Sequence, residues 1–380
     1  MGRRIAVNTG GGDAPGLNAV IRAVVLSAQV RGWDVLGIRY GYRGLIQDDP
    51  NGIVPLDADA VRGITHLGGT ILGSTNRGDP FNYPLERDGK VTASDVSARV
   101  VSRFKELGID ALVALGGDGS LKLCKRLLDA GIPRIIAVPK TIDNDLPGTD
   151  ITFGFETAVA TATEALEKLH STAEAHERVM VVEVMGRHAG WIALHAGVAG
   201  SADVILIPEI PYDLDLVCEK IMQRERNGRR FSIVVVAEGT PLPDGAASVV
   251  GPPAAFSRNL RLGGIAQVIA EEIAKRTRKE TRSLVLGHLQ RGGSPVTFDR
   301  LLALRLGTAA TRFLAETDKS GMVAIKNGEV VLVPLEEATG NIRTVPQDSA
   351  VVATARDLGV CFGDEAPGSF SGAAPSRPTP

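Results

Sequence analysis

The chain has 380 residues, 44% of them hydrophobic, and its 42 basic and 44 acidic side chains leave a net charge of −2. This length predicts two domains with buried cores, and the near-neutral charge excludes a basic surface for nucleic acid or membranes. Three widely separated cysteines indicate reduced thiols and a cytoplasmic location. We expect neither a signal peptide nor a membrane span, because the chain starts directly with a strand and no apolar run approaches about 20 residues.

Strand, glycine turn and helix alternate along the first 140 residues. The predicted elements are a strand at 5–8, a turn at 9–16, a helix at about 17–30, strands at 34–38 and 111–115, a turn at 116–120, a helix at 121–130 and a strand at 135–138. Short apolar strands that alternate with helices predict a doubly wound parallel sheet.

The same alternation continues through the second half. We predict a helix at 155–174, a strand at 179–184, a turn at 185–190, a helix to about 199, strands at 203–207, 232–236 and 284–286, a loop at 241–253 and a disordered tail from 364. The fold class is therefore α/β, with two Rossmann-like lobes and the active site expected between them.

The segment 139–150 is the most informative stretch. Directly after the predicted strand at 135–138 it brings together Lys140, Thr141, Asp143 and Asp145. Loops at the carboxyl ends of parallel strands carry the ligand chemistry of open α/β sheets. Two carboxylates at positions i and i+2 favour a metal site or a general base. A polar surface loop is the alternative that the segment alone leaves open.

Two glycine turns are candidates for binding phosphate. The turn at 10–16 would present amide groups to an anion at a helix N-terminus, although it matches neither G-x-G-x-x-G nor a Walker A loop. The turn at 116–120 adds Asp118, a carboxylate suited to Mg²⁺. The alternatives are a tight strand-to-helix turn at 10–16 and Asp118 as a helix N-cap.

Arginines and histidines follow two further strands. Arg187 and His188 come after the strand at 179–184, and His288 and Arg291 come after the strand at 284–286. Arginines beside glycine turns suit bidentate contacts with phosphate. A surface cation and a structural histidine are the alternatives.

Five segments together resemble the 6-phosphofructokinase family, in that family's order and spacing over roughly residues 3–310. They are 11–16 (GGDAPG), 116–120 (GGDGS), 141–145 (TIDND), 182–187 (VEVMGR) and 287–295 (GHLQRGGSP). A single Gly-Gly-Asp-Gly would also fit NAD kinases and lipid kinases, which lack the other four segments. The resemblance is to the bacterial, ATP-dependent type, with a mixed donor signature.

The resemblance implies Mg²⁺-dependent phosphoryl transfer from ATP to the 1-hydroxyl of fructose 6-phosphate. It implies a nucleotide-binding lobe of 1–150 plus about 250–310, and a sugar-phosphate-binding lobe of 151–249 plus about 311–363. It also implies a homodimer or homotetramer with shared active sites. By the same resemblance, Asp143 is the general base, Asp145 its partner carboxylate, Thr141 a contact of the transferred group and Arg187 a stabiliser of transition-state charge.

The resemblance also implies binding residues. Those for ATP are Gly11, Asn76, Arg77, Gly117, Asp118, Gly119 and Ser120, with Asp118 as the Mg²⁺ carboxylate. Those for the sugar phosphate are Thr141, Ile142, Asp143, Arg178, Met185, Gly186, Arg187, Glu238, Arg282, His288, Leu289, Gln290 and Arg291. At 76–77 the chain departs from the short bacterial enzymes, whose arginine aligns with Asn76, so Arg77 is the alternative for that role.

Two positions bear on the phosphoryl donor. Gly119 resembles ATP-dependent members, whereas Lys140 resembles pyrophosphate-dependent ones. We favour ATP, because an aspartate at 119 would oppose a nucleotide phosphate while a lysine at 140 only adds a cation. The alternatives are a pyrophosphate-dependent enzyme, a kinase of a related sugar phosphate such as sedoheptulose 7-phosphate, and a non-enzymatic sugar-phosphate sensor.

Overall fold

The computed structural model describes residues 2–87, 90–249, 251 and 262–366. These residues form two compact units. Unit 1 comprises 2–161, Gly251 and 288–343, and unit 2 comprises 162–249, 262–287 and 344–366.

Helices and strands alternate through most of the described chain. The first half contains β1 Arg4–Thr9, α1 Leu17–Gln29, β2 Asp34–Ile38, α2 Arg43–Ile46, β3 Ile53–Leu56, β4 Tyr83–Arg87, β5 Lys90–Ser94, α3 Ser97–Glu106, β6 Ala111–Gly116, α4 Asp118–Asp129, β7 Ile135–Pro139 and α5 Phe155–Ala175. The second half contains β8 Val179–Val184, α6 Trp191–Ala199, β9 Val204–Leu206, α7 Leu214–Arg226, β10 Ser232–Ala237, α8 Ile265–Thr277, β11 Thr281–Val285, a 3-10 helix Gly287–Arg291, α9 Thr297–Glu316, β12 Gly321–Lys326, β13 Glu329–Val333, α10 Leu335–Ala338 and α11 Ala350–Asp357.

Unit 1 is built on a seven-stranded sheet with the order β13-β12-β7-β6-β1-β2-β3. The five strands from β12 to β2 are parallel, and the edge strands β13 and β3 are antiparallel to their neighbours. In the register Val113 lies between Val7 and Ile136. The α/β class with a mostly parallel, doubly wound sheet is thus confirmed.

The central strand β6 shows why this sheet needs helices on both faces. All six of its residues are buried. Val113 and Leu115 belong to a core that includes residues of α1 and α9, whereas Leu112 and Ala114 belong to a second core with residues of α3 and α4. Because successive side chains point to opposite faces of a strand, this uninterrupted apolar run fits a strand covered on both sides.

Unit 2 is built on a four-stranded parallel sheet with the order β11-β8-β10-β9. A core forms where Val179 and Val181 of β8 and Val234 of β10 meet apolar residues of α7 and α8. Ile265, Ile269 and Ile273 are buried from α8, at the spacing of one helix face.

Several predicted boundaries were wrong by a few residues. The helix predicted at 121–130 begins at Asp118, and the strand predicted at 284–286 is Thr281–Val285. The strand predicted at 203–207 is only Val204–Leu206, since β9 pairs with β10 over three residues. The missed elements include the long helices α8 and α9 and the hairpin of β12 and β13, although the Asn327-Gly328 pair between these strands is a typical two-residue hairpin turn.

The lobe division predicted from the resemblance differs from the two units. Residues 311–343 belong to unit 1, because β12 extends its sheet beside β7. Residues 262–287 belong to unit 2, where β11 pairs with β8.

The predicted loop at 241–253 and the predicted tail fall partly outside the described residues. Residues 241–249 lie outside the named helices and strands, and 250 and 252–253 are not described. The tail was predicted to be disordered from 364, but Asp364 and Glu365 form ion pairs with Arg356 at 2.5 and 3.4 Å. Residues 367–380 lie outside the described part. Within that part, no helix has the length and apolar character that crossing a membrane requires.

Candidate active site

Three of the predicted site loops leave adjacent strands of unit 1 at the same edge of the sheet. The strands β1, β6 and β7 are parallel neighbours, so their carboxyl ends lie side by side. The loops are joined by backbone hydrogen bonds: Gly10 donates to Leu115 O at 2.9 Å, and Lys140 donates to Gly116 O at 3.0 Å. The sheet therefore assembles segments that are separated by more than 100 residues in the chain.

The loop after β1 is held from the segment around residue 75. Gly11 has φ +78°, and its N–H donates to Thr75 O at 3.2 Å. The Oδ1 atom of Asn76 lies 4.0 Å from the position that a Cβ at Gly11 would take. Asn76 and Arg77 are both exposed, and Arg77 donates its N–H to Thr75 Oγ1 at 3.0 Å. Asn76 and Arg77 are the two candidates for the position that an arginine takes in the short bacterial enzymes. Of these two residues, the structure places Asn76 beside the glycine loop.

The turn after β6 combines a crowded glycine with an open one. A Cβ at Gly116 would lie 2.2 Å from Ser120 Cβ, so the close approach of Ser120 requires glycine there. A Cβ at Gly119 would meet no atom within 4 Å. Gly119 is therefore not needed for packing, and a side chain at this position would project into the space beside the turn.

Asp118 opens helix α4 but does not cap it. The N-cap residue is Gly117, and Asp118 accepts a hydrogen bond from Lys122 Nζ at 2.9 Å. Its side chain is 32% exposed. A partly exposed carboxylate in the first turn of a helix, beside a glycine turn, fits the interpretation of Asp118 as a ligand better than the N-cap alternative.

The loop after β7 holds the two aspartates around one hydroxyl group. Thr141 Oγ1 accepts the N–H of Asp143 at 3.1 Å and donates to Asp145 Oδ1 at 3.2 Å. Both aspartates are half-buried, and the side chain of Ile142 between them and Thr141 is completely buried. Any contact of Ile142 with a substrate would therefore come from its backbone.

Lys140 reaches back to the loop after β1. Its side chain is 4% exposed, and its Nζ donates to Gly12 O at 2.5 Å. Burial, and then the nearby Arg291 guanidinium, lower the pKa of this ammonium from 10.5 to about 8, against the attraction of nearby carboxylates. Arg291 itself donates to Asp13 O at 3.0 Å. Two cations thus hold consecutive carbonyl groups of one glycine loop.

The remaining predicted residues of unit 1 lie in the short 3-10 helix. His288 and Leu289 are exposed, and Gln290 is completely buried. With Arg291 bound to Asp13 O, the structure brings this segment to the glycine loop.

In unit 2 the predicted residues fall into two groups at opposite ends of the sheet. Met185, Gly186 and Arg187 follow the end of β8, and Glu238 follows the end of the adjacent β10. Glu238 donates its N–H to Val184 O at 2.9 Å, which places these residues together.

The second group lies where the strands begin. Arg178 precedes β8, and Arg282 is the second residue of β11. Both donate to the same Glu280 oxygen, at 2.9 and 2.7 Å, and these guanidinium groups, Arg178 first, lower the pKa of that carboxyl. Arg178 Nε is buried without a hydrogen-bond acceptor among the described residues.

The donor set around Asp118 fits Mg²⁺ bound through phosphate. Among the described residues, no three histidine, cysteine, aspartate or glutamate side chains cluster closely enough for a complete metal cage. Magnesium typically takes one or two carboxylates together with substrate phosphates and water. Asp118 beside an open glycine turn offers that arrangement.

Sequence reasoning missed two residues that shape the loop after β7. Asn144 has φ +51° and accepts the N–H of Thr152 through Oδ1 at 3.1 Å. Thr152 Oγ1 in turn donates to Thr141 O at 2.8 Å. An asparagine between two aspartates is itself a signal for a left-handed position, but nothing in the sequence marks Thr152.

Comparison with known proteins agrees with this geometry. The phosphofructokinase family model matches residues 4–314. A protein of Chloroflexus aurantiacus named ATP-dependent 6-phosphofructokinase is 50% identical, covering 96% of this chain and 98% of that protein. A protein of Amycolatopsis methanolica named pyrophosphate–fructose 6-phosphate 1-phosphotransferase is 48% identical, covering 91% and 97%.

A solved structure has the same fold. Pichia pastoris phosphofructokinase in the T-state superposes with a TM-score of 0.75 at 30% identity, over 96% of this chain and 37% of that longer chain. With the family model matching most of the sequence and relatives of about half identity over nearly its whole length, the chain belongs to the phosphofructokinase family.

Proposed function

We propose that this protein is an ATP-dependent 6-phosphofructokinase. It transfers the γ-phosphoryl group of ATP to the 1-hydroxyl of fructose 6-phosphate, giving fructose 1,6-bisphosphate and ADP in glycolysis. The observation that carries the proposal is the loop after β7, in which Thr141 holds Asp143 and Asp145 beside the glycine turn of β6. The names of the Chloroflexus relative and of similarly close relatives support ATP as the donor.

We assign the nucleotide to the glycine turns of unit 1. The donor phosphates lie against the glycine turns at Gly11 and 117–120, with Asn76 beside Gly11 and Arg77 exposed next to it. Asp118 holds Mg²⁺, which offsets the charge of the donor phosphates when bound with ATP. The open space at Gly119 leaves room for a nucleotide phosphate.

We assign the proton transfer to Asp143. Phosphoryl transfer depends mainly on positioning and charge stabilisation, so the chain has to orient the sugar hydroxyl and accept its proton. Asp143 takes that proton as the hydroxyl oxygen attacks. Thr141 contacts the transferred group, and Asp145 shares the hydrogen-bonded arrangement that fixes the loop. Arg187 stabilises the charge that develops on the phosphoryl oxygens.

We assign the sugar to Met185, Gly186 and Glu238, and its 6-phosphate to basic side chains at three places in the chain. Glu238 accepts a hydrogen bond from a sugar hydroxyl. The 6-phosphate ligands are Arg178 and Arg282 of unit 2 and His288 and Arg291 in the segment after it. Between these last two, Leu289 is exposed, whereas the completely buried Gln290 would contribute through its backbone.

The two groups of unit 2 support a shared active site. Arg178 and Arg187 stand at opposite ends of the six-residue strand β8, which separates them by roughly 20 Å at about 3.3 Å per residue. Arg178 is held at its own end of the strand by Glu280, so we propose that Arg178 and Arg282 serve the site of another copy. Strand β11 is an edge strand that exposes Leu284 and Val285, which a second copy would cover.

A pyrophosphate-dependent enzyme is the second candidate, and Lys140 is the observation that favours it. Its buried ammonium reaches the glycine loop, where it would add positive charge beside donor phosphates. The Amycolatopsis relative, named for pyrophosphate, is nearly as similar as the Chloroflexus one. Overall sequence identity therefore does not distinguish an ATP-dependent from a pyrophosphate-dependent enzyme. The choice of donor has to be argued from the residues at 119 and 140.

Turnover of the purified protein tests both candidates. We expect phosphorylation of fructose 6-phosphate with ATP and Mg²⁺, and little with pyrophosphate and Mg²⁺. Robust pyrophosphate activity without ATP activity would establish the second candidate. Sedoheptulose 7-phosphate belongs in the same panel, and binding of either sugar phosphate without turnover would indicate a sensor.

Mixing two inactive variants tests the shared site. Asp143→Ser and Arg282→Ser each disable a site, but after co-refolding a mixed oligomer contains some sites that combine an intact Asp143 with an intact Arg282. We expect partial recovery of activity in the mixture. No recovery in mixtures that native mass spectrometry shows to contain hybrid oligomers would place both residues in one chain's site. A cytoplasmic location is part of the proposal and is supported by the three buried free cysteines.

A further inference from the structure

A residue outside all five motifs binds the backbone of the catalytic loop. Arg343, from the segment after α10, donates from Nη1 to Asn144 O at 3.1 Å. Its backbone N–H donates to Asp145 O at 2.9 Å. One residue, about 200 positions later in the chain, therefore binds two consecutive carbonyl groups beside the proposed base.

The loop that Arg343 binds is restrained by its backbone conformation and by hydrogen bonds among its own residues. Asn144 occupies the left-handed region, which reverses the direction of the backbone between the two aspartates. Its side chain, 4% exposed, is tied to the completely buried Thr152. Thr152 is tied to Thr141 O, so the loop is closed on its inner side by its own residues.

Arg343 closes the other side. The guanidinium is half-buried, and burial lowers its pKa in spite of the nearby Asp150 carboxylate. Removing a cation from water costs free energy unless hydrogen-bond acceptors replace the water, and here a backbone carbonyl oxygen does so. The contacts of Arg343 with Asn144 O and Asp145 O act on the backbone that carries the two aspartates.

We propose that Arg343 and Asn144 are positioning residues that set the placement of Asp143 and Asp145. The inference rests on the proposed phosphofructokinase activity for its catalytic consequence, and on the contacts of unit 1 for its structural one. It gives a role to the part of the chain that the motifs leave unassigned. A displacement of about 1 Å in a catalytic group can cost on the order of 100-fold in rate.

Arg343→Met tests the proposal, because it keeps the apolar stem and removes the guanidinium. We expect kcat to fall about 10- to 100-fold, with KM for both substrates changed by less than about threefold. Arg343→Lys, which can reach one carbonyl group, should recover part of the loss. Arg305→Met is the matched control, since Arg305 also donates to a backbone carbonyl of unit 1, that of Gly328 at 2.7 Å.

Hydrogen exchange supplies a readout that does not depend on activity. The amides of Asp143 and Thr152 are bonded to side chains of the loop, and both should exchange faster in Arg343→Met but not in Arg305→Met. Asn144→Gly retains the left-handed backbone but removes the acceptor of the Thr152 N–H, so the Asp143 amide is its informative readout. That amide should exchange faster, and the variant serves if Arg343→Met fails to fold.

The outcomes separate the two proposals. A kcat for Arg343→Met within twofold of the Arg305→Met control, or unchanged exchange at both amides, would overturn the positioning role. A wild-type protein without turnover on any donor would refute the proposed function, while the exchange measurement would still decide whether Arg343 braces the loop.

Discussion

The turn after β6 and the loop after β7 leave neighbouring strands, yet they are built in opposite ways. Two positions of the turn at 116–120 remain accessible. Gly119 faces open space, and the Asp118 side chain is partly exposed. The loop at 140–152 uses its side chains internally, with Thr141, Asn144 and Thr152 bonded to one another's backbone or to the aspartates.

The difference matches the two proposed tasks. A turn that binds a phosphate needs unoccupied amide groups and room, because the ligand completes it. A loop that carries a general base has to hold the carboxylate in place before the substrate arrives. Changes in the turn should therefore alter ligand preference, whereas changes in the loop should alter the rate of the chemical step.

Removal of the base should have the largest effect. We expect Asp143→Ser to lower kcat by about 10²- to 10⁴-fold with little change in KM, because general-base catalysis contributes that much. Steady-state kinetics measure it. Asp57→Asn, which alters an exposed carboxylate that binds the Ala60 N–H, is the control and should retain normal turnover. Near-normal kcat for Asp143→Ser would remove Asp143 from the mechanism.

A negative charge introduced at position 119 of the open turn should have the second-largest effect on activity. We expect Gly119→Asp to lower kcat/KM for ATP about 100-fold, since like charges brought together cost several kcal/mol. The melting temperature should stay within a degree or two, because a Cβ there meets no neighbour. Gly119→Asn has the same size without the charge, so an equal loss in both variants would show that bulk alone excludes the nucleotide.

The two glycines of that turn should differ in stability. Gly116→Ala forces a methyl group to within 2.2 Å of Ser120 Cβ and should lower the free energy of unfolding by about 2–3 kcal/mol. Gly119→Ala should change it by less than about 0.5 kcal/mol. Urea unfolding of the pair measures the contrast, and equal effects would mean that the turn repacks around Ser120.

The buried lysine predicts a pH dependence. Since the pKa of Lys140 is about 8 in the folded protein and 10.5 ordinarily, the unfolded chain binds more protons between these values, and stability rises with pH. The penalty for the buried charge is fully present below pH 8. Relative to Lys140→Met, the wild type should gain about 2 kcal/mol between pH 7 and pH 9.5. If the difference in stability between the wild type and Lys140→Met did not change over this range, the pKa of Lys140 in the folded protein would be close to its ordinary value.

The sequence predicted the parts of the fold that repeat a local pattern. Apolar runs such as Val179–Val184, closed by glycine turns, identified the central parallel strands, and the spacing of the aspartates at 143 and 145 singled them out as candidates for a site. The boundaries failed where pairing decides the end of a strand, as in Val204–Leu206, which is limited to the three residues that pair with β10.

Contacts between distant segments could not be predicted. Nothing in the residues around Arg343 indicates that it binds Asn144 O, and nothing around Lys140 indicates that its ammonium reaches Gly12 O. Both depend on the order of strands in the sheet, which brings β12 beside β7 and β1 beside β6. Local pattern identifies the groups that carry charge, whereas topology determines which backbone they bind.

The late return of the chain to unit 1 affects its synthesis on the ribosome. Strand β7 ends at Pro139, but its outer neighbour β12 begins only at Gly321. About 180 residues have to be made in between, which takes roughly 10–40 s at typical rates of translation. Throughout that interval a buried central strand is an uncovered sheet edge, the kind of surface that pairs with other chains. This edge should therefore need protection from other chains until β12 has been made.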